Sequence, residues 1–389
     1  MKIRNGSQLK ATSFSALALA FSSFGDAFLY PFLPVNSIMV GVPVVWVGLL
    51  LSINRFVRIL SNTLMVHALA RYGFRTVMII AAVLAILSTC SYGVVTGVFA
   101  WILVRIMWGL AFSAMRIGSF GHALQHPHQG IALGLSRSLQ ELGPALSLIL
   151  APLLLKYFET STIFYLLSGF SLPALYFAWQ LPDNDKRTLA FASNKLLHWP
   201  SALNLWTLYS ACIIDGIIVV VLGILFLNHR DHVTLSTATV LAAFYLGYRR
   251  VCLILLSPVG GWIADRVGLD RVFSMSMILI MMGLLIVLSG WVATGVSVIF
   301  TFYSVNVAVT PGLISQRHNK SLAAVAENAT WRDIGAAVGA LAGGWLITSS
   351  LIHIAIISAT LMLGFFLLIH LGTHRSAFKF NTYGSNSDL

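Results

Sequence analysis

Arg55, Arg58, Arg105, Arg137, Arg249, Arg250 and Arg332 stand inside long apolar stretches, and so do the carboxylates Asp26, Glu141, Asp215 and Asp333. Ionisable groups in hydrocarbon are costly, face a bundle interior or a water-filled cavity, and mark substrate or ion paths. Two kinds of chemistry fit this set. The planar, permanently charged guanidinium forks suit a carboxylate or phosphate. A buried carboxylate, pulled one way by desolvation and the other by a nearby arginine, lets protonation follow conformation. These seven arginines outnumber the four acids. Pairing of Arg137 with Glu141 at i, i+4, or of Asp26 or Asp215 with an arginine across a bundle, cannot absorb them all. Arg55 and Arg58, three apart, share one helix face. The expected anion site is Arg55, Arg58, Arg250 and Arg332, with Asn54 and Gln140 beside them. Asp26, Asp215, Glu141 and Asp333 are the expected proton-handling acids.

The elements that position these groups are membrane spans. The 389 residues are 58% hydrophobic and 9% charged, with a mean hydropathy of +0.87, which places the chain among polytopic membrane proteins. Twelve apolar runs are predicted as spans: 12–33, 44–66, 76–97, 98–119, 130–154 and 160–181, then 203–227, 236–262, 272–292, 293–315, 323–347 and 350–372. The apolar run behind Lys2, Arg4 and Lys10 continues past Asp26 to Leu33 and reads as the first span, in place of a cleaved signal. A hydrophilic connection, 182–202, divides two bundles of six, 1–181 and 203–389. Loop cations such as Arg71, Arg75, Lys186, Lys195, Arg266, Arg271, Arg317 and Lys379 fall on one side, where Lys156 and Arg230 are the exceptions opposite. The positive-inside rule then puts both termini in the cytoplasm. The net charge of +12 sits in short loops and spans, which excludes a nucleic-acid tail. Cys90, Cys212 and Cys252 lie in apolar runs and are expected to pack. His122, His126 and His128 are expected in a solvated loop rather than at a metal.

The halves repeat. The fifth span, from Leu133 to Pro152, carries Gln140, Glu141 and Gly143; the eleventh carries Arg332, Asp333 and Gly335 in the same order. Asp26 matches Asp215, and Arg55 matches Arg250 when Gly73 is set on Gly268. Small residues after each polar pair predict close helix approach.

Gly261-Trp-Ile-Ala-Asp265-Arg266-Val-Gly268-Leu-Asp-Arg271 resembles the loop signature of the major facilitator superfamily, Gly-x-x-x-Asp-Arg-x-Gly followed by basic residues. Its first-half copy keeps Arg71, Gly73 and Arg75 but has Ala70 in place of the acid. Arg105-Ile-Met-Trp-Gly109 resembles the family's Arg-x-x-x-Gly motif of the fourth span, and Gly143-Pro144 with Gly134 the fifth-helix motif of its antiporter groups. The resemblance implies an all-α membrane fold of two pseudo-symmetric six-helix bundles. It places spans three, six, nine and twelve outside, against lipid, and the charged spans around a cavity. It adds Arg105 to the proton-coupling set and assigns gating to Gly261, Asp265, Arg266, Gly268, Arg71 and Gly73.

The combined expectation is a secondary transporter in the inner (cytoplasmic) membrane, working by alternating access and coupled to protons. Its substrate is a small organic anion: a polycarboxylate, including carboxylate-type iron chelators, or a phosphorylated metabolite. A drug–proton exporter using Trp108, Tyr245 and Tyr248 is the alternative, and a non-transporting receptor or assembly subunit is the alternative of another class. No His-Glu-x-x-His, Gly-x-Ser-x-Gly or phosphate loop appears, so no enzyme, cofactor or nucleic-acid partner is expected, and the chain is expected to be monomeric.

Overall fold

The computed structural model describes residues 2–154, 157–182, 199–228, 235–319, 321–347 and 351–383. Among these residues the elements are helical and no β-strand occurs. The central connection from 183 to 198, with Lys156, Arg230 and Lys320, lies outside them.

In the first half, α1 (Lys2–Ser22) and α2 (Phe24–Asn36) form one rod bent by 47°. Then come α3 (Val47–Tyr72), α4 (Phe74–Ser91), α5 (Val98–Leu124) and α6 (Gln129–Leu154). The sixth rod is α7 (Thr160–Ser171) with α8 (Pro173–Trp179). In the second half, α9 (Ala202–Ser210), a π-helical segment (Ala211–Ile218) and α10 (Val219–Asn228) run on as one rod. They are followed by α11 (Leu235–Val267), α12 (Leu269–Leu288), α13 (Val292–Arg317), α14 (Leu322–Ile347) and α15 (Ile352–Tyr383). The rods correspond in order to the twelve predicted spans. Nine, counted among the described residues, are long and apolar enough to cross a membrane, and the bent α1–α2 pair makes a tenth. The remaining two are α6 and α14, whose polar pairs dilute their apolar runs.

Local chemistry sets the breaks. Ser23 Oγ donates back to the Leu19 carbonyl at 2.7 Å, a bond that competes with the helix ladder and favours bending, and the rod bends there. Gly73 (φ +86°) and Gly268 (φ +107°) are the sole residues between α3 and α4 and between α11 and α12. Both adopt the left-handed region that glycine enters without a Cβ penalty. Each donates its amide to the carbonyl four residues earlier, Leu69 at 3.0 Å and Ala264 at 2.9 Å. The loop signature is therefore not a loop. Its residues up to Val267 are helical and only the glycine turns, because α11 runs five residues past the predicted end at 262.

The histidine expectation also needs correction. α5 runs to Leu124, so His122 is helical, buried and packed on the Phe74 ring at 4.9 Å. His126 is buried as well and bonds the backbone of His128. Among the described residues no His, Cys, Asp or Glu group is arranged to hold a metal.

The chain forms two compact units. The first holds Met1–Leu197, Arg250–Leu269 and Val307–Thr330, and the second His198–Arg249, Asp270–Asn306 and Trp331–Leu389. In the first, Phe24, Phe28, Phe32, Leu50, Trp101 and Phe164 build an aromatic-rich core. Gly143 of α6 lies against the Ala20 carbonyl of α1, where a Cβ would overlap backbone. In the second, Gly335 of α14 lies against the Leu208 carbonyl of α9 in the same way. The small residues after each polar pair thus bring the duplicated helices onto their neighbours at matched positions.

Candidate functional site

Among the described residues, several of the intramembrane charges gather into three ion clusters. In the first, Arg105 of α5 pairs with Asp26 of α2. Its Nε donates to the Leu50 carbonyl at 2.8 Å and its Nη1 to the Tyr92 hydroxyl at 3.4 Å. Asn54 adds a long bond to Asp26 at 3.5 Å. Arg105 is fully buried, at 0% exposure. One cation meets one anion, with main-chain carbonyls taking other guanidinium donors.

The second cluster is built on Asp215, in the π-helical segment. Arg249 of α11 donates to its Oδ1. Its Oδ2 accepts from Arg332 Nε at 3.2 Å and Nη2 at 3.1 Å, and from the Tyr303 hydroxyl of α13 at 2.8 Å. Two permanent cations here face one carboxylate. The π turn widens the helix where the aspartate emerges, a feature frequent at functional sites.

In the third, Glu141 of α6 bridges Arg137, one turn back, and Arg250 of α11 at 2.7 Å. It closes a seam between α6 and α11. Asp265 accepts from the Gly130 and Ile131 amides, both at 2.8 Å. Gly130 lies against Gly261, Gly134 lies against the Ser257 carbonyl, and Ser138 donates to the Ile254 carbonyl. The Asp265 carboxylate therefore caps the positive end of α6. Arg266 stacks on Trp262 at 3.8 Å, and Arg71 on Tyr72 at 5.4 Å.

The expected residues are thus distributed over several places. Asp26, Arg105 and Asn54 come together, as do Asp215 and Arg332, and Glu141 and Arg250. Gln140 is buried and donates to Ser136 at 3.0 Å. Arg58 lies over the Phe112 ring at 4.7 Å, Arg55 is partly buried one helical turn away, and Asp333 is buried. Sequence reasoning missed two groups, Arg116 and Glu327, and gave no role to two it had noted, Arg249 and Tyr303 of the tenth span. Arg249, not its neighbour Arg250, reaches Asp215, and Tyr303 completes that cluster. Arg116 and Glu327 also lie inside helices, and Arg116, buried, donates to Asn62 at 3.2 Å while Asn62 donates to Thr330 at 3.1 Å. They add one charge of each sign and leave the cationic surplus as it was.

Apolar helical rods with ion clusters inside them define a multi-pass membrane protein. The chain belongs to the major facilitator superfamily: the family model described as Major Facilitator Superfamily matches residues 15–248. The fold is similar to that in the crystal structure of the human organic anion transporter MFSD10 (TETRAN), at a TM-score of 0.74 and 12% identity. The alignment covers 93% of this chain and 99% of that one. Among curated proteins no sequence matches. The protein is accordingly a transporter of small molecules in a lipid bilayer, and not an enzyme.

Proposed function

We propose that this protein carries a small organic anion across the cytoplasmic membrane by alternating access, driven by protons, with both termini in the cytoplasm. The observation that carries the reading is the charge ratio at Asp215, where Arg249 and Arg332 converge on one carboxylate. A desolvated pair of cations against one anion attracts a second anion. The similar solved transporter bears an organic-anion name, which agrees with this. Arg332, with Arg249, forms the anion-binding pair, and Arg55, Arg58, Arg250, Asn54 and Gln140 serve the passage of the anion. Asp26 with Arg105 is the main proton-coupling pair, with Glu141 and Asp333 in support.

Two six-helix bundles, 1–181 and 203–389, joined by 182–202, supply the alternation. Asp265 on the Gly130 and Ile131 amides acts as the cytoplasmic latch, together with Gly261, Arg266 and Gly268, and with Arg71 and Gly73 at the matching turn. The cluster of Phe226, Tyr245 and Tyr248, with ring centroids 5.3 and 6.3 Å apart, favours a second reading, a proton-coupled exporter of hydrophobic compounds. Flux of radiolabelled carboxylates, phosphorylated metabolites and hydrophobic cations into proteoliposomes, with and without a pH gradient, separates the two. Carboxylate accumulation that follows the gradient supports the first reading. Accumulation of hydrophobic cations alone sinks it.

A further inference from the structure

We propose that Arg249, Arg332 and Tyr303 form a carboxylate receptor that the protein fills with its own Asp215, and that the transported anion binds by displacing that side chain. The inference rests on the organic-anion reading above and narrows it to carboxylates.

Three helices aim donors at one planar group. Arg249 addresses Oδ1, while Arg332 through two nitrogens and Tyr303 through its hydroxyl address Oδ2. Both oxygens of a carboxylate are thereby satisfied by charge-assisted bonds. A phosphate would bring further oxygens and further charge against a single buried, unused donor, Arg249 Nε. With Asp215 swung out, Arg249 and Arg332 keep two positive charges, with buried Asp333 next to Arg332 as a further acid, and an incoming carboxylate replaces the charge that Asp215 removes. Donor capacity also remains: Arg249 Nε is buried with no hydrogen-bond partner among the described residues, an arrangement that is costly to leave unused.

Asp215 has a route out of the receptor. It stands in the π-helical segment Ala211–Ile218. Relaxation of a π turn to α geometry shifts the register by about one residue, a rotation of roughly 100° about the axis. That rotation would swing the carboxylate away from the guanidinium forks and leave them in place. Asp26 has no such arrangement: a single fully buried arginine holds it, and the arginine's other donors go to Leu50, Leu51 and Tyr92.

The test uses the purified full-length protein in detergent. In Asp215→Ala, formate and acetate should each raise the unfolding temperature by several degrees over chloride at matched ionic strength, since binding to the native state stabilises it. They should leave wild type unmoved. Adding Arg332→Ala should abolish the effect. No carboxylate-specific shift, or a larger shift with inorganic phosphate, overturns the proposal. Should Asp215→Ala fail to fold, Asp215→Asn decides, because it keeps the side-chain volume and removes the competing charge. Its KM for a transported carboxylate should fall by about tenfold, and an unchanged or raised KM contradicts displacement. The stabilisation measurement needs no transport. Liposomes that move no organic anion therefore count against the proposed function, and liposomes that move one while the ions fail to stabilise count against the receptor.

Discussion

Asp26 and Asp215 occupy matched positions in the two halves and have become different devices. Asp26 meets one arginine, fully buried and tied by its remaining donors to main-chain carbonyls of α3 and to Tyr92. Asp215 meets two arginines and a tyrosine, on a helical segment of altered pitch. The fourth span gives Asp26 a charge, Arg105, where its counterpart, the tenth, gives Asp215 only a hydroxyl. The second half makes up the charge from the eighth and eleventh spans, and exceeds it. On the proposed function, the balanced pair serves proton coupling and the overcharged cluster receives the anion. The repeat supplies the same scaffold twice, and the partners of the two aspartates differ.

The largest effect that sharpens this comparison is on stability. Arg105→Ala leaves Asp26, largely shielded at 15% exposure, with only the long Asn54 bond, and removing one member of a buried pair costs about 3–5 kcal/mol. Arg249→Ala leaves Asp215 with Arg332 and Tyr303, so its cost should be less than half of that. Unfolding of the purified variants in detergent measures both, and equal losses would break the distinction.

Next in size is transport. Arg332→Lys keeps a charge but loses the fork that places Nε and Nη2 on one oxygen. We expect kcat/KM to fall by about tenfold or more, a loss of ~1.4 kcal/mol of transition-state stabilisation. Arg55→Ala and Arg250→Ala should abolish flux in protein that still inserts, and their Lys variants should impair it. Wild-type rates in the Lys variants would remove bidentate anion recognition from those positions.

The smallest effect concerns the seam. An anion at a helix N-terminus gains roughly 0.3–1 kcal/mol when exposed and up to ~2 when partly buried. Asp265→Asn should therefore shift the equilibrium toward cytoplasmic opening by roughly two- to thirtyfold. Labelling of a cysteine introduced into α6 close to Ile131 reads the shift, with thermal stability nearly constant. A fall in stability with unchanged labelling would make Asp265 a turn residue only.

Much of this was legible in the sequence. The rods correspond in order to the expected spans, and apolar length alone marks ten of them among the described residues, α6 and α14 being diluted by their polar pairs. The approach of Gly143 and Gly335 to neighbouring backbone followed from small residues behind a polar pair. The glycine turns followed from the aligned Gly73 and Gly268. Other features left no mark. Arg249 and Arg250 are adjacent, and the roughly 100° between neighbouring helical residues decides which one faces Asp215. An alignment on glycines chose Arg250, which instead holds Glu141. Tyr303 carries no charge and so escaped a census of charges. The π-helical segment has no compositional signal, and the extra turns of α5 and α11 lie past the point where apolar runs stop. The pairing of Arg137 with Glu141 was readable because both lie on one helix, whereas pairs between helices depend on packing that spacing does not encode.

The division of labour between the two aspartates is tested most directly by measuring carboxylate exchange and pH-driven accumulation side by side in proteoliposomes carrying Asp26→Asn or Asp215→Asn. The account predicts that Asp26→Asn retains exchange between equal solute pools but loses accumulation against a gradient, while Asp215→Asn still accumulates when protons drive it. Accumulation in Asp26→Asn equal to wild type would contradict it.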